Sequence, residues 1–268
     1  NKSNFRGRGI DFEEVRSYQP GDDIRTIDWR VTARTGQAHT KLFREERERP
    51  VLVAVDQRPG MFFGSSHCFK SVLAAQLASL VAWSALDGGD RVGGLVFDGA
   101  RHREIRPRRS RKTVLALLSH IADFNNGLPL DREVRTASFA ETLANLRRIA
   151  RPGSSVFLIS DFSGASGEHA REHLFQLAQH TEIAAVACFD PLESDLPAAG
   201  RYAVTDGVDR SELHTADRGL RAAYRPRFAE RMGHLSLDLQ RLGVPLLRAS
   251  TDQPPFGLLQ RFYGDNRR

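Results

Sequence analysis

The sequence predicts an α/β protein with a mainly parallel central sheet, helices on both faces, and a small β-rich N-terminal portion. Three observations predict it. Short apolar runs without polar alternation, at residues 51–56 and 155–161, each end in an acid, as strands buried on both faces do. Segments of helical periodicity separate these runs, and alternating strand and helix patterns imply parallel pairing with helical crossovers. The first 50 residues differ: their hydrophobic runs are short, and turns and opposite charges interleave closely.

Taken in order, Val51, Leu52, Val53, Ala54 and Val55 lead to Asp56 as the first buried strand. Residues 67–86 follow with Leu73, Leu77, Leu80, Val81 and Ser84 at helical spacing, and Gly88-Gly89 ends the pattern. Residues 91–97 read as a strand, Asp98-Gly99 as a tight hairpin turn and residues 101–106 as its partner. Helical patterns occupy 111–124 and 139–150. Arg151-Pro152-Gly153 breaks the chain before the second buried strand, which ends at Asp161. A helix over 168–179 leads to a strand over 182–189, then to an irregular or hairpin region over 191–215 that includes Tyr202 and Asp206-Gly207. The longest helix, 217–242, carries Tyr224, Phe228, Leu235, Leu239 and Leu242 on one face. A strand over 244–248 and a short C-terminal helix complete the pattern. The division expected is 1–50 for the β-rich portion and 51–268 for the α/β domain.

The 268 residues contain 40% apolar side chains, enough for a substantial core and too many for a disordered chain. The two cysteines, Cys68 and Cys188, lie far apart in apolar surroundings with no C-x-x-C partner, which argues against a disulfide framework or zinc ribbon and for a reducing compartment such as the cytoplasm. No segment approaches the roughly 20 apolar residues that span a bilayer, and because the sequence opens on Asn1 and not on Met, an anchor in an upstream segment stays open. The net charge is +6 and uneven: Arg101, Arg103, Arg106, Arg108, Arg109, Arg111 and Lys112 crowd one segment opposed only by Glu104. Arginines at a helix start oppose the macrodipole, which favours an acidic neighbour. No aromatic residue interleaves with them, so nucleic acid ranks below a solvated face and below a protein or membrane partner.

In the N-terminal portion, Pro20-Gly21 suits the central positions of a type II turn. Asp22 and Asp23 are placed to cap it. Arg25, Asp28 and Arg30 are expected to form ion pairs on a following strand, and Trp29 to anchor it as a large apolar side chain. This block reads first as a structural turn and second as a partner-facing surface.

Two features carry a family resemblance. One is the run from Phe12-Glu13-Glu14-Val15-Arg16 through Tyr18-Gln19-Pro20-Gly21-Asp22-Asp23-Ile24-Arg25 and Ile27-Asp28-Trp29 to Ala33-Arg34. The other is the later order of Asp56, Asp90-Arg91-Val92-Gly93 and Leu158-Ile159-Ser160-Asp161. Over residues 7–243 the chain resembles the bacterial domain-of-unknown-function family 58, whose members resemble von Willebrand factor A domains. In those domains the resemblance implies a metal-ion-dependent adhesion site: Asp-x-Ser-x-Ser after the first core strand, with a Thr and a second Asp from later loops holding magnesium by hard oxygens. Here the first segment is Asp56-Gln57-Arg58-Pro59-Gly60, with Arg58 and Gly60 where serines are expected. The later loop offers Ala137 at the threonine position, flanked by Thr136 and Ser138, and Asp161 is retained. A guanidinium and a divalent ion repel at contact distance, so Arg58 is expected to stand in for the metal by pairing with Asp56, Asp161 or both.

Other chemistries lack a convergent set of groups. His169-x-x-Glu172-His173 matches the inverted zinc-peptidase spacing, but Glu182, Glu193, Glu212 and Glu230 are undistinguished third ligands and a solvated helix flank explains the pattern. There is no G-x-S-x-G elbow, Ser163 and Ser166 lie in a Gly/Ser turn, and no phosphate-binding P-loop is present. Arg6-Gly7-Arg8-Gly9 is too short for an RNA-binding tract. The expectation is therefore a non-catalytic adaptor without cofactor. The resemblance implies a MoxR-type AAA+ ATPase as partner, engaged through Asp56, Arg58, Gly60, Thr136 and Asp161 or through Asp22, Asp23, Arg25, Asp28 and Trp29. Two alternatives remain: a magnesium-dependent binder rebuilt from Thr136, Ser138 or Ser160, and a basic nucleic-acid or membrane-surface binder acting through 101–112.

Overall fold

The N-terminal residues close into a hairpin in which β1 (Ile10–Ser17) pairs antiparallel with β2 (His39–Glu45). Pro20-Gly21 forms the expected turn: the Asp22 amide donates to the Gln19 carbonyl at 3.0 Å, and Gly21 sits at φ 110°, open to glycine. The segment after the turn is not a strand. Asp23 accepts from the Arg25 amide and starts a 3-10 turn over Ile24–Thr26, and Asp28 accepts from the Arg30 and Val31 amides and starts α1 (Trp29–Thr35). Two short acids at cap positions outweigh the strand preference of their neighbours. Trp29, expected as an apolar anchor, opens α1 and faces outward at 68% exposure. The structure describes residues 10–45, 49–127, 138–205 and 210–264; it is a computed structural model of the chain. Thr136 and Asp206-Gly207 fall outside the described residues.

The α/β region runs β3 (Pro50–Asp56), α2 (Lys70–Asp87), β4 (Arg91–Phe97), β5 (His102–Arg108), α3 (Arg111–Asn126), α4 (Phe139–Ile149), β6 (Ser155–Ser160), α5 (Glu168–Ala178) and β7 (Glu182–Phe189). It continues through α6 (Pro191–Ser194), a hairpin of β8 (Arg201–Thr205) with β9 (Arg210–His214), α7 (Arg218–Arg241), β10 (Leu246–Ser250) and α8 (Pro255–Gly264). Six strands share one sheet in the order β10-β7-β6-β3-β4-β5, all neighbours parallel except the edge pair β4-β5. The long uninterrupted apolar runs took the central places, as burial on both faces requires. Val51, Val53 and Val55 face a core closed by α2 and α3, while Leu52 and Ala54 face a second core closed by α4, α5 and α7. Among the described residues, neither core draws on anything before Val51.

Three local features depart from the periodicity. Ser84, although at helical spacing with Leu77 and Val81, is exposed on α2. The β4-β5 ladder bulges between Val92 and Gly94, and a Cβ on Gly93 would lie 2.4 Å from the Ile105 carbonyl oxygen, so only glycine admits this approach. α7 runs through Pro226, whose missing amide leaves one backbone bond unmade without ending the helix.

Candidate functional site

Sheet order locates a crevice before any side chain is considered. From β3 the chain moves by α2 to β4 on one side, whereas β6 lies on the other side of β3. Successive crossovers therefore diverge at the carboxyl ends of β3 and β6, the place where open α/β sheets leave room for ligands. Asp56 ends β3, Ser160 ends β6, and Asp161 follows it directly.

A guanidinium fills this crevice. Arg58 Nε donates to both Asp56 carboxylate oxygens at 3.0 Å, and Nη2 donates to Asp56 Oδ2 at 2.7 Å. Nη2 also reaches Asp161 Oδ1 at 3.4 Å, and Nη1 donates to the Ser163 carbonyl at 3.1 Å. The Phe139 ring at the start of α4 lies under the guanidinium carbon at 4.9 Å, a cation–π contact that suits a partly dehydrated cation. Asp56 is fully buried, and the Arg58 side chain keeps 13% exposure. Ser160 Oγ donates to Asp56 Oδ2 at 2.6 Å and accepts from the Phe162 amide at 2.9 Å. Phe162 adopts φ 58°, a left-handed conformation costing about 1–2 kcal/mol in a non-glycine residue, and it turns the chain at the crest.

A second cation stands beside the first. Lys70, 2% exposed at the first position of α2, places Nζ 2.9 Å from Glu193 Oε1 and 3.5 Å from Asp161 Oδ2. Glu193 is fixed in turn, because its Oε2 accepts from the Asp190 amide at 2.9 Å in the capping box of α6. Asp190 accepts from the amides of Leu192 and Ser65 and from the Thr251 hydroxyl. The crest is thus a connected array of four carboxylates, those of Asp56, Asp161, Glu193 and Asp190, and two cations. Burial pushes the Asp56 carboxyl above its usual range against the pull of Arg58. Burial acts on Asp161 in the same sense, but Lys70, the Ser163 amide and Arg58 prevail and hold it low. Asp56 raises the Arg58 guanidinium despite the opposing effect of burial.

This donor set does not fit a magnesium ion. The position between Asp56 and Asp161 holds a guanidinium, and Asp161 is shared with an ammonium. Gly60 supplies no side-chain oxygen, and a Cβ there would lie 3.0 Å from Asp161 Oδ2. Ser138 Oγ accepts from the Glu141 amide in the capping box of α4, so that hydroxyl is also engaged. The zinc-like pattern on α5 does not converge either: His173 Nδ1 lies 3.3 Å from Arg147 Nη1, Glu172 accepts from Gln176, and Glu193 belongs to Lys70. Among the described residues no group of three His, Cys, Asp or Glu is placed to hold a metal. Burial pushes the Cys188 thiol far up and raises Cys68 as well, so neither offers a thiolate at neutral pH.

The N-terminal block lies apart from this array in its bonding. Arg16 donates to Asp22 Oδ1 at 2.7 Å, the Gln19 amide donates to Asp22 Oδ2 at 2.9 Å, and Asp28 pairs with Lys41 at 3.4 Å. Its acids are consumed by caps and internal pairs. Arg25 is exposed, and Ile24 and Trp29 are exposed apolar side chains beside it. Lys70, Phe139, Asp190 and Glu193 were not found by sequence reasoning. Lys70 carried a usable signal, since a cation in the first turn of an otherwise apolar helix opposes the macrodipole and needs acids to explain it.

Comparison with known proteins places the chain. It is 30% identical over 265 residues to the uncharacterized protein Rv1480 of Mycobacterium tuberculosis strain H37Rv, covering 98% of this chain and 81% of that one. The Mycobacterium bovis protein Mb1516, also uncharacterized, matches to the same extent. Among solved structures, the conserved hypothetical protein BatB of Bacteroides thetaiotaomicron is 14% identical with TM-score 0.49, covering 82% of this chain and 98% of its own. A von Willebrand factor type A protein of Catenulispora acidiphila is 12% identical with TM-score 0.38, covering 56% of this chain and 35% of its own. No helix among the described residues is long and apolar enough to cross a membrane. The model of the family described as protein of unknown function DUF58 matches residues 14–234, and the chain belongs to that family.

Proposed function

We propose that this protein is a non-catalytic, protein-binding adaptor whose von Willebrand A-like crest is a degenerate adhesion site, locked by its own cations instead of by magnesium. The observation that carries the reading is Arg58, held by Asp56 and Asp161 in the switch-point crevice. An acid locked in this way has no free lone pairs for general-base work, and the cysteines are protonated, so the crest is built for binding geometry rather than turnover. The family resemblance adds a MoxR-type AAA+ ATPase as partner, and the two unpaired cysteines favour the cytoplasm as the compartment, with membrane association left open to an upstream segment. Binding would use the crest around Arg58 and Asp161, together with Thr136 as the resemblance implies, or the N-terminal face bearing Trp29.

Calorimetry with magnesium and manganese tests the lock. The wild type and Arg58→Ser/Gly60→Ser are expected to give no binding heat, because Lys70 still neutralises Asp161. Arg58→Ser/Gly60→Ser/Lys70→Met is expected to gain an ion. Saturable binding by the wild type would overturn the metal-free reading. Loss of ATPase association on chelation would do the same.

A further inference from the structure

The edge of the sheet distant from β10 carries a second surface that the crest does not use. From Ile105 to Ala122 the chain contains no carboxylate, while Arg106, Arg108, Arg109, Arg111 and Lys112 all lie within it, with Arg103 just before. All six cations are exposed, and among the described residues none has an ion-pair partner. The nearby acids are already committed: Asp98 pairs with Arg101, and Glu104 with Arg148.

Register gives this charge a direction. Arg103 pairs with Val96 and Arg108 with Val92, and both valines belong to the core beneath α3. Arg103 and Arg108 therefore share the α3 flank of β5, next to Arg111 and Lys112 in the first turn of α3. Leu115, one turn further along, is 55% exposed, a large apolar side chain beside the cations. Two cations in the first turn work against the helix dipole, and Ser110 caps only the Lys112 amide.

We propose that this flank docks on an anionic lipid bilayer, with the arginines and Lys112 on headgroup phosphates and Leu115 at the acyl boundary. Three features favour a bilayer over other polyanions. The charged edge and Pro107 oppose strand addition, the mode by which an acidic peptide would use a sheet edge. The flank offers no aromatic side chain to stack bases or to anchor a protein interface. Leu115 has a use at an acyl boundary and none on a phosphate backbone. Flexible cations around one apolar side chain fit a surface that is charged but not stereospecific.

Flotation of the full chain with vesicles tests this, using phosphatidylcholine alone or with about one-third phosphatidylglycerol. Binding is expected only to the anionic vesicles, and it should weaken as salt rises. Arg103→Gln/Arg108→Gln/Arg111→Gln should lower partitioning by about a hundredfold, roughly fivefold for each cation near the surface. These side chains are exposed and unpaired, so an unchanged circular dichroism melt certifies the fold. Leu115→Ser should lower vesicle binding several-fold and leave binding to duplex DNA unchanged. Absence of vesicle binding, wild-type partitioning by the triple variant, or DNA binding as tight as vesicle binding at equal salt would each overturn the proposal. None of these outcomes depends on what the crest binds.

Discussion

Replacing Arg58 with methionine removes the guanidinium while keeping most of the side-chain volume, and it leaves Asp56 fully buried with Ser160 as its remaining side-chain donor. Breaking a buried pair from one side typically costs about 3–5 kcal/mol. A ceiling applies, because the orphaned carboxyl can take up a proton. At pH 7, protonating an acid of ordinary pKa 3.9 costs about 4 kcal/mol, and that ceiling falls by about 1.4 kcal/mol per pH unit to roughly 1.5 kcal/mol at pH 5. Asp161 adds little, since Lys70 continues to neutralise it. The sign follows from the folded pKa of Asp56, already raised by burial, rising further: the loss caused by the substitution grows with pH between the wild-type and the variant's folded values and levels off above the latter. Urea denaturation at pH 5 and pH 7 should therefore show a loss of at most about 4 kcal/mol at neutral pH that shrinks to about 1.5 kcal/mol or less in acid. A loss below about 1 kcal/mol, or one independent of pH, would refute a lock made by Arg58 on a charged Asp56.

Two further outcomes follow from the same bonding. Asp22 is held low by its Arg16 hydrogen bond and Asp28 by the Val31 amide, while Asp161 and Asp190 are low despite burial, through Lys70 and through Thr251 and Ser65 respectively. Acids depressed in the folded state contribute stability above their ordinary value of 3.8 that disappears as pH falls through their folded values, so the melting temperature should drop steeply below pH 3.8. Asp28→Ala removes the cap of α1 and the Lys41 pair, and it should cost about 1–2 kcal/mol with increased amide exchange over residues 30–32; unchanged exchange there would show that the cap does not hold the helix.

How much of this was legible in the sequence depends on the range of the interaction. The strand at β3 and the helix at α3 declared themselves because periodicity and burial are properties of neighbouring residues. The segment after Pro20-Gly21 was misread because Asp23 and Asp28 act as caps, a role decided by the backbone conformation of the aspartate itself. Trp29 was misplaced for the same reason, since the cap fixes where the helix starts and hence which face residue 29 takes. At the crest, Asp56 and Arg58 are two residues apart and could be paired by inspection. Lys70, Phe139 and Glu193 come from three separate elements, and only the order β7-β6-β3 brings them to one place.

Lys70 changes what Arg58 and Gly60, at the positions where the resemblance implies serines, mean for the proposed site. With Arg58 alone as the obstacle, restoring serines at 58 and 60 would leave Asp56, Ser160 and Asp161 as an oxygen set open to an ion. Lys70 Nζ, however, lies 3.5 Å from Asp161 Oδ2, and an ion bound by that carboxylate would sit about 4–5 Å from a full positive charge. At an effective dielectric of 20 a divalent ion there meets about 7 kcal/mol of repulsion, comparable to the whole free energy of micromolar binding. Lys70 cannot turn away easily, because Glu193 grips it and is itself fixed by the Asp190 cap. On the proposed reading, the crest is therefore closed to an ion twice over, once by Arg58 at the strand ends and once by the buried Lys70 ammonium paired with α6. Ion binding should return only when both cations are removed.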